Sequence, residues 1–225
     1  DWSSDVCSSD LEWLEALAER HAAQAGAPRI AAGIIGYADL TMGDAVDEVL
    51  DAHIAASPGR FRGIRQMAAF NPHAQSNTAP FEHLLADARF RRGLDCLARR
   101  GLSFDVWVFH MQLPEVTALA RACPGVPLVL NHLGGLLGIP PYDADRAAIL
   151  GRWRADLREL AACPNVCMKL GGTGMHIFGY GWQGQPLPPS SDEVVKSTGD
   201  LYRYAIVTFS PARCMFESKI GRVHV

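Results

Sequence analysis

The sequence lacks several features that would assign it to a broad functional class. It has no apolar run near the ~18 residues that cross a bilayer, no basic block of the kind that binds nucleic acid, and no signal-peptide pattern at its N-terminus. No glycine-rich phosphate fingerprint follows the first predicted strand, which argues against nucleotide binding. We therefore expect a cytoplasmic protein that binds a small-molecule substrate, no nucleic acid and no membrane. The sequence leaves its oligomeric state open.

Cysteine pairs with metal-site spacing are also missing. The six cysteines are scattered, and most occupy apolar positions of predicted helices or strands. This pattern is typical of reduced core thiols in a cytoplasmic protein. Cys163 and Cys167 flank a predicted turn, but their spacing is not that of a zinc ribbon. With 225 residues, 48% hydrophobic and 20% charged, and a net charge of −3, the chain is large enough for one sizeable core.

Two short apolar stretches, each ending in a histidine, organise the chain. They are Phe104–His110 and Val126–His132, and turn residues follow both. Such stretches predict buried parallel strands. Sites in α/β proteins are built at the carboxyl ends of parallel strands. We therefore predict that His110 and His132 lie at neighbouring strand ends, where their side chains could bind one shared atom.

Helical and strand patterns alternate along the whole chain. The predicted helices are 12–25, 41–56, 83–100, 114–123, 143–163 and 191–209, and the predicted strands are 30–37, 61–65, 104–110, 126–132, 165–170 and 213–217. This alternation predicts an α/β fold with a parallel sheet, either doubly wound or a (β/α)8 TIM barrel. A barrel gathers the ends of all its strands around one mouth. It is favoured because almost every strand ends in a polar residue: Asp39, Arg65, His110, His132, Lys169 and Glu217.

The two termini resemble translated sequencing adapter. One codon choice for residues 5–10 has a reverse complement that translates as Ile-Gly-Arg-Ala-His-Val, which differs from residues 220–225 only at Val223. We therefore expect residues 1–11 and 219–225 to lie outside the domain. The predicted domain is 12–218, a partial barrel incomplete at both ends.

Five motifs resemble those of the amidohydrolase-related TIM-barrel proteins, and most closely the branch of sugar-acid lactonases and pyrone-dicarboxylate lactonase. They are Gly63–Arg65, Gln112–Glu115, Val129–Gly134, Lys169–Gly172 and Cys214–Ser218. The family's first strand, with its His-x-His pair, and its second strand have no counterpart. The resemblance thus implies a truncated (β/α)8 barrel with about six of eight strands, the third to the eighth.

The same resemblance assigns roles to the two histidines. By that match His110 ends the fifth strand and His132 the sixth, where the superfamily places its remaining metal histidines. We therefore predict both as catalytic residues and metal ligands. The family's eighth strand continues into Asn or Asp where this chain has Lys219. The implied cofactor is one divalent metal ion, zinc before others, or none, because some lactonases of this group work without a metal.

The chemistry of a hydrolytic barrel suits these residue types. It must generate a nucleophilic water, polarise a carbonyl and protonate a leaving group, and a divalent ion can perform the first two tasks. Neutral imidazoles are suitable ligands. The alternative for each histidine is that it orients substrate or is hydrogen-bonded by backbone at a strand end.

Four further residues are predicted to bind substrate. Arg65 could hold a carboxylate in a bidentate fork or pair with a neighbouring loop. Lys169 is either a site cation or an ion-pair partner at the barrel mouth. Tyr180 and Trp182 lie in the long loop 173–190 and could wall the pocket. Asp39 is interpreted as a helix-start residue rather than a catalytic base.

The predicted function is that of a hydrolase that opens a lactone or cyclic amide of a small acidic or sugar-derived substrate. The first alternative is a non-oxidative decarboxylase on the same barrel. The second is that the chain as written is inactive, because a barrel without two of its strands has open edges and lacks half of its ligands.

Overall fold

Helices and strands alternate throughout the part of the chain that the structure describes. The structure is a computed structural model, which describes residues 4–24, 26, 28–73 and 78–217. Within these residues the helices are α1 Ser4–Ala22, α2 Val46–Ala56, α3 Ala88–Arg100, α4 Leu113–Ala122, α5 Arg146–Ala161 and α6 Ser191–Phe209. The strands are β1 Ile34–Gly36, β2 Phe61–Met67, β3 Ser103–Trp107, β4 Leu128–Leu130, β5 Val166–Leu170 and β6 Cys214–Phe216.

The strands form one sheet whose order follows the sequence, β1-β2-β3-β4-β5-β6. The pairs β1–β2, β4–β5 and β5–β6 are parallel. A doubly wound sheet would reverse its strand order at a switch point, whereas a (β/α)8 barrel adds each strand next to the previous one. The predicted α/β fold is confirmed, and the order is that of part of a barrel.

The chain divides into two compact units. The first comprises Asp1–Gln66, Leu85–Asp105 and Gly125–Pro127, and the second comprises Met67–Leu84, Val106–Pro124 and Leu128–Val225. The first unit buries Leu50, Ile64 and Leu94, with Phe90 and Phe104 in an edge-to-face contact at 5.6 Å. The second unit buries a larger set of side chains: Leu113, Val116, Leu130, Trp153, Leu157, Met168, Phe178 and Phe209.

Side-chain caps set the starts of α3, α5 and α6. α6 begins as predicted, because the Ser190 hydroxyl accepts from the backbone N–H of Glu193 at 3.3 Å and the Glu193 carboxylate accepts from Ser190 N at 2.7 Å. α3 begins five residues later than predicted, because Asp87 caps it by accepting from Arg89 N and Phe90 N at 2.8 Å.

The second helix was predicted to begin at residue 41, but α2 begins at Val46. The Asp39 carboxylate caps the turn before it and accepts from Thr41 N at 2.9 Å and from Gln66 Nε2 at 3.1 Å. This confirms the interpretation of Asp39 as a helix-start residue. A 3-10 turn, Leu40–Ala45, precedes α2.

In the described part of the chain no helix combines the length and apolarity needed to cross a membrane. Cys96, Cys123, Cys163, Cys167 and Cys214 are free thiols, as predicted.

Two glycines inside helices provide a matched test of the packing in α3. A Cβ on Gly93 would lie 2.3 Å from the backbone oxygen of Leu40, whereas a Cβ on Gly151 in α5 would meet nothing within 4 Å. We expect Gly93→Ala to lower the free energy of unfolding by about 1–3 kcal/mol through overpacking. Gly151→Ala should raise it by up to ~1 kcal/mol, because alanine has the higher helix propensity. Urea denaturation of both variants measures the difference, and a gain in stability from Gly93→Ala would contradict the close approach.

Candidate active site

The two predicted histidines follow neighbouring strands but lie just beyond them. β3 ends at Trp107 and β4 at Leu130, and each histidine begins a short 3-10 turn, His110–Gln112 or His132–Gly134. The sequence prediction placed them as the last strand residues. It was off by two or three positions, because the backbone turns once Gly135 O accepts from His110 N at 3.1 Å.

His132 is held by the carboxylate of Glu217, which follows β6. One oxygen, Oε1, contacts His132 Nδ1 and also accepts from the backbone N–H of His132 at 3.1 Å. The His132 and Glu217 side chains are 5% and 13% exposed. A carboxylate on the Nδ1 of a histidine fixes the orientation of the ring. In the sequence Glu217 is recognisable only as a polar strand end, with no signal for a role in the site.

The backbone at His132 is strained. His132 and Leu133 have φ values of 53° and 54°, in the left-handed region that non-glycine residues seldom adopt. Trp153, fully buried in α5, donates its indole N–H to Leu133 O at 2.8 Å. Such strain persists only where surrounding contacts impose it, and it is frequent at functional sites.

Gly171 and Gly172 leave the space that the histidine and the carboxylate occupy. A Cβ on Gly172, whose φ is +78°, would lie 2.7 Å from His132 Cβ and 2.8 Å from its Nδ1. A Cβ on Gly171 would lie 2.4 Å from Glu217 Cγ. The Lys-Leu-Gly-Gly motif therefore has a physical reason here, because larger residues would separate His132 from Glu217.

Aromatic groups surround this pair. The Trp107 ring meets the His132 ring edge-to-face with centroids 4.7 Å apart. Trp107 is 7% exposed and packs with Phe109 and Leu137. Burial raises the pKa of Tyr202, the hydrogen bond with Thr173 lowers it, and the nearby Glu217 charge raises it.

His110 has a different environment. The backbone N–H of Leu137 donates to His110 Nδ1 at 3.3 Å, and the Tyr142 ring meets the imidazole edge-to-face at 5.7 Å. Burial lowers the pKa of His110 to about 4; the Gly135 carbonyl raises it and the positive charge of Arg146 lowers it. His110 is 5% exposed, so the ring is neutral at pH 7.

Gln112 is the centre of a backbone clamp. Its Oε1 accepts from Phe70 N at 2.9 Å and from Phe109 N at 3.2 Å, while its Nε2 donates to Ala68 O at 2.9 Å. The side chain ties the backbone after β3 to the backbone after β2. Gln112 is 5% exposed, and these bonds satisfy three backbone groups. The Gln-Leu-Pro-Glu motif thus supports the turn that carries His110.

The long loop places Tyr180 and Trp182 against each other. Their rings stack with centroids 4.8 Å apart and an interplanar angle of 15°. The Arg146 guanidinium lies 5.6 Å from the Tyr180 ring centroid and donates to the Tyr180 hydroxyl at 3.4 Å. Arg146 therefore links the loop to the surroundings of His110. The sequence offered no signal for it, because its position is that of an ordinary helix-surface residue of α5.

Arg65 and Lys169 are both half-buried strand residues. Arg65 was predicted to end its strand, but β2 continues two residues further, to Met67. Within the described residues its Nε has no hydrogen-bond partner. Lys169 lies in β5 in register with Met215 of β6.

The residues present fit a metal ion only in part. Metal-binding histidines usually donate their second ring nitrogen to a carboxylate or carbonyl, and His132 does so to Glu217. His110 instead accepts at Nδ1. Among residues 4–24, 26, 28–73 and 78–217, no group of three His, Cys, Asp or Glu side chains could hold a metal. Lys219, at the predicted eighth-strand position, lies outside the described residues.

Comparison with known proteins relates this arrangement to a family. A sequence profile of the family described as amidohydrolase matches residues 13–218. The L-fucono-1,5-lactonase of Burkholderia multivorans is 36% identical over 190 residues, which cover 84% of this chain and 57% of that protein.

Two solved structures share the fold. A B. multivorans amidohydrolase with bound zinc superposes with a TM-score of 0.65 at 29% identity, over 93% of this chain and 63% of that one. A candidate 2-pyrone-4,6-dicarboxylic acid hydrolase of Pseudomonas putida superposes with a TM-score of 0.59 at 15% identity, over 98% of this chain and 64% of that one, and shows the fold alone. The chain thus spans less than two thirds of the length of these proteins.

Gly172 and Gly174 provide a test of the space around His132. Gly172→Ala should lower the free energy of unfolding by about 1–3 kcal/mol, because the new Cβ overlaps the His132 ring and the φ of +78° is unfavourable for alanine. Gly174→Ala is the matched control: nothing lies within 4 Å of its Cβ, and we expect a change within about 0.5 kcal/mol. Urea denaturation gives both values, and equal effects would refute the contact.

The buried neutral His110 predicts a pH dependence of stability. Its pKa of about 4 in the folded chain is below the ordinary value of 6.5. The unfolded state therefore binds more protons than the folded state between pH 4 and pH 6.5. The contribution of His110 to the free energy of unfolding is fully present above pH 6.5 and is lost as the pH falls towards 4. At ~1.4 kcal/mol per pKa unit the full loss is about 3 kcal/mol.

His110→Gln removes this titration. Between pH 7 and pH 4.5 the free energy of unfolding, measured in urea, should fall less in the variant than in the wild type. The contributions of the other titrating groups are common to both proteins and cancel in the difference. Parallel curves for the two proteins would show that His110 is not buried in its neutral form.

Proposed function

The chain belongs to the amidohydrolase family, and from that membership and the arrangement around His132 we propose that it is the core of a hydrolase that opens a lactone of a small acidic or sugar-derived substrate. The observation that supports this most directly is the contact between His132 Nδ1 and the Glu217 carboxylate. The similarity to an L-fucono-1,5-lactonase gives the reaction class. Because the chain spans 57% of that relative, the activity is proposed for the protein of which these residues form a part.

The His132–Glu217 contact leaves the imidazole with a nitrogen that can accept a proton. An ionised carboxylate can only accept hydrogen bonds, so Nδ1 of His132 carries the proton and the lone pair is on Nε2. That lone pair can take a proton from water or bind a metal ion, and the positive charge that develops on the ring is stabilised by Glu217.

A zinc ion is the metal we propose, since the similar B. multivorans structure holds one. His132 is the residue of this chain whose ring fits the ligand role. A bound zinc would supply a more acidic water and a Lewis acid for the carbonyl.

The reaction consumes one water and releases a hydroxy acid. Where no metal ion occupies its lone pair, His132 Nε2 takes a proton from water while the water oxygen attacks the lactone carbonyl carbon. The bond between that carbon and the ring oxygen then breaks, and the ring oxygen leaves with the proton from His132. We further propose that Arg65 holds a substrate carboxylate, that Lys169 is a cation of the site, and that Tyr180 and Trp182 wall the pocket. The cytoplasmic location is also a proposal.

Two forms of the protein test the proposal. One is the 225-residue chain, and the other is the B. multivorans lactonase in which the matching 190 residues of this chain replace their counterpart. Both are assayed with a panel of sugar-acid lactones by proton release, with and without zinc. We expect ring opening by the graft, and a kcat at least ~100-fold lower when it carries His132→Asn.

The outcomes separate the alternatives. Activity in the graft but not in the 225-residue chain supports lactone hydrolysis as the function. It also supports the alternative that the chain as written is inactive, because its strands are the third to the eighth of the barrel. A folded graft that opens no lactone refutes the proposed function. Release of carbon dioxide from hydroxybenzoate-like acids would favour the decarboxylase instead.

A further inference from the structure

We propose that the guanidinium of Arg146 binds a free carboxylate on the substrate, so that the protein opens lactones of diacids in preference to lactones of neutral sugars. This inference rests on the proposed lactone hydrolysis for its substrate class. The binding of a carboxylate by Arg146 can be tested separately, without any assay of activity.

The guanidinium of Arg146 is half-buried but only weakly engaged by the protein. Its Nη1 donates to Leu137 O at 3.5 Å, and its Nη2 donates to the Tyr180 hydroxyl at 3.4 Å. Both distances exceed the range of about 2.7–3.2 Å in which N–H donors form strong hydrogen bonds. Because a guanidinium has several N–H donors and no acceptor, most of its hydrogen-bonding capacity is left for another group.

No carboxylate of the protein neutralises this charge. Among the residues that the structure describes, no Asp or Glu forms an ion pair with Arg146, whereas Arg60 and Arg100, which are also half-buried, are both paired with carboxylates. The adjacent Asp145 caps α5 instead, and its carboxylate accepts from Ala148 N at 3.1 Å. A partly buried charge without a partner lowers stability, so the guanidinium is suited to an anion from outside the chain.

The position of Arg146 in its helix acts in the same direction. Arg146 is the first residue of α5, and the first turn of this helix contains no acidic residue. The amino end of a helix carries a partial positive charge, which disfavours a cation and favours an anion. The unpaired guanidinium and the helix end therefore attract the same kind of ligand.

The groups around Arg146 belong to the candidate active site. The Tyr180 ring lies 5.6 Å from the guanidinium and stacks on Trp182. The Tyr180 hydroxyl donates to Ser197 O at 3.2 Å, so its oxygen is left to accept from the arginine. Burial lowers the pKa of His110, and the positive charge of Arg146 lowers it further. A carboxylate bound to Arg146 would thus lie near both the aromatic pair and a candidate catalytic histidine.

Two glycines fix the place of the guanidinium. A Cβ on Gly138 would lie 2.2 Å from Arg146 Nη1, and a Cβ on Gly179, whose φ is +78°, would lie 2.0 Å from Gly138 O. The backbones of the loops after β4 and β5 therefore meet beside the arginine only because neither glycine has a side chain. A cation held in place before binding loses less conformational freedom when the ligand arrives.

A carboxylate is the anion that matches both the guanidinium and the proposed reaction. The planar fork of an arginine fits the two oxygens of a carboxylate. In a lactone the carboxyl group that forms the ring is an ester and carries no charge. A lactone that binds Arg146 as an anion must therefore have a second carboxyl group, which makes it the lactone of a diacid.

Arginine side-chain NMR tests the site without any assay of activity. The Nε–H signal of Arg146 is followed in the 15N-labelled 225-residue chain at pH 7 during titrations with benzoate and with its neutral analogue benzamide. Arg146→Lys assigns the signal by its loss, and correlations along the side chain assign it in the wild type where the variant does not fold. We expect a saturable shift with benzoate and none with benzamide.

Arg154 provides the matched control for this titration. It is also a half-buried arginine of α5, and its guanidinium lies 5.6 Å from the Tyr204 ring. Its signal should not move with either compound. A constant Arg146 signal, or an equal shift of both arginines with benzoate, overturns the proposal, because the effect would then be absent or common to any exposed cation.

Two lactones that differ in one group test the substrate class. The monolactone of galactaric acid has a free carboxylate where the galactonic acid lactone of the same ring size has a neutral hydroxymethyl group. In the graft used to test the lactonase activity, Arg146→Met should raise KM for the first by about 10- to 100-fold and leave KM for the second within about twofold. Arg146→Lys keeps the charge but not the planar fork, so it should recover part of the loss. Arg154→Met should leave both values unchanged.

The kinetic outcomes separate binding of the substrate from support of the loop. Equal effects of Arg146→Met on the two lactones would mean that the arginine only holds the loop through Tyr180, and would overturn the proposal. A higher kcat/KM of the unmodified graft for the galactonic acid lactone would overturn the preference for diacids. If the graft opens no lactone at all, the proposed function fails, and the benzoate titration still decides whether Arg146 binds a carboxylate.

Discussion

The contact between His132 and Glu217 is the constraint on which the candidate site depends. It joins residues 85 positions apart in the sequence and brings the turn after β4 to the end of β6. The Glu217 carboxylate contacts both Nδ1 and the backbone N–H of His132. It therefore determines where the imidazole points and leaves Nε2 as the free nitrogen. The left-handed φ of His132 and the indole bond from Trp153 to Leu133 belong to the same arrangement.

Two of the family-like motifs, Lys169–Gly172 and Gln112–Glu115, have a structural explanation, because they position His132 and His110. Gly171 and Gly172 provide space for Glu217 and His132. Gln112 provides the hydrogen bonds that fix the turn after β3, where His110 lies. The glycines and Gln112 act without touching a substrate, because they set the positions of the two histidines.

The two histidines lie in different hydrogen-bonding environments. Both are nearly buried, both follow a parallel strand, and the sequence treats them alike. The backbone N–H of Leu137 donates to the first ring, and the Glu217 carboxylate contacts the second. Burial then lowers the pKa of His110 to about 4 and keeps that ring neutral.

The sequence by itself determined the order of helices and strands, the bounds of α6 and the placement of His110 and His132 after neighbouring strands. These features follow from local periodicity, capping residues and turn residues, which act over a few positions. Only the tertiary structure decided that Glu217 meets His132, that Arg146 lies near His110, and that Gly93 must stay small. The reason is physical: such contacts join residues far apart in the chain, and their distances depend on how helices and strands pack rather than on any local pattern.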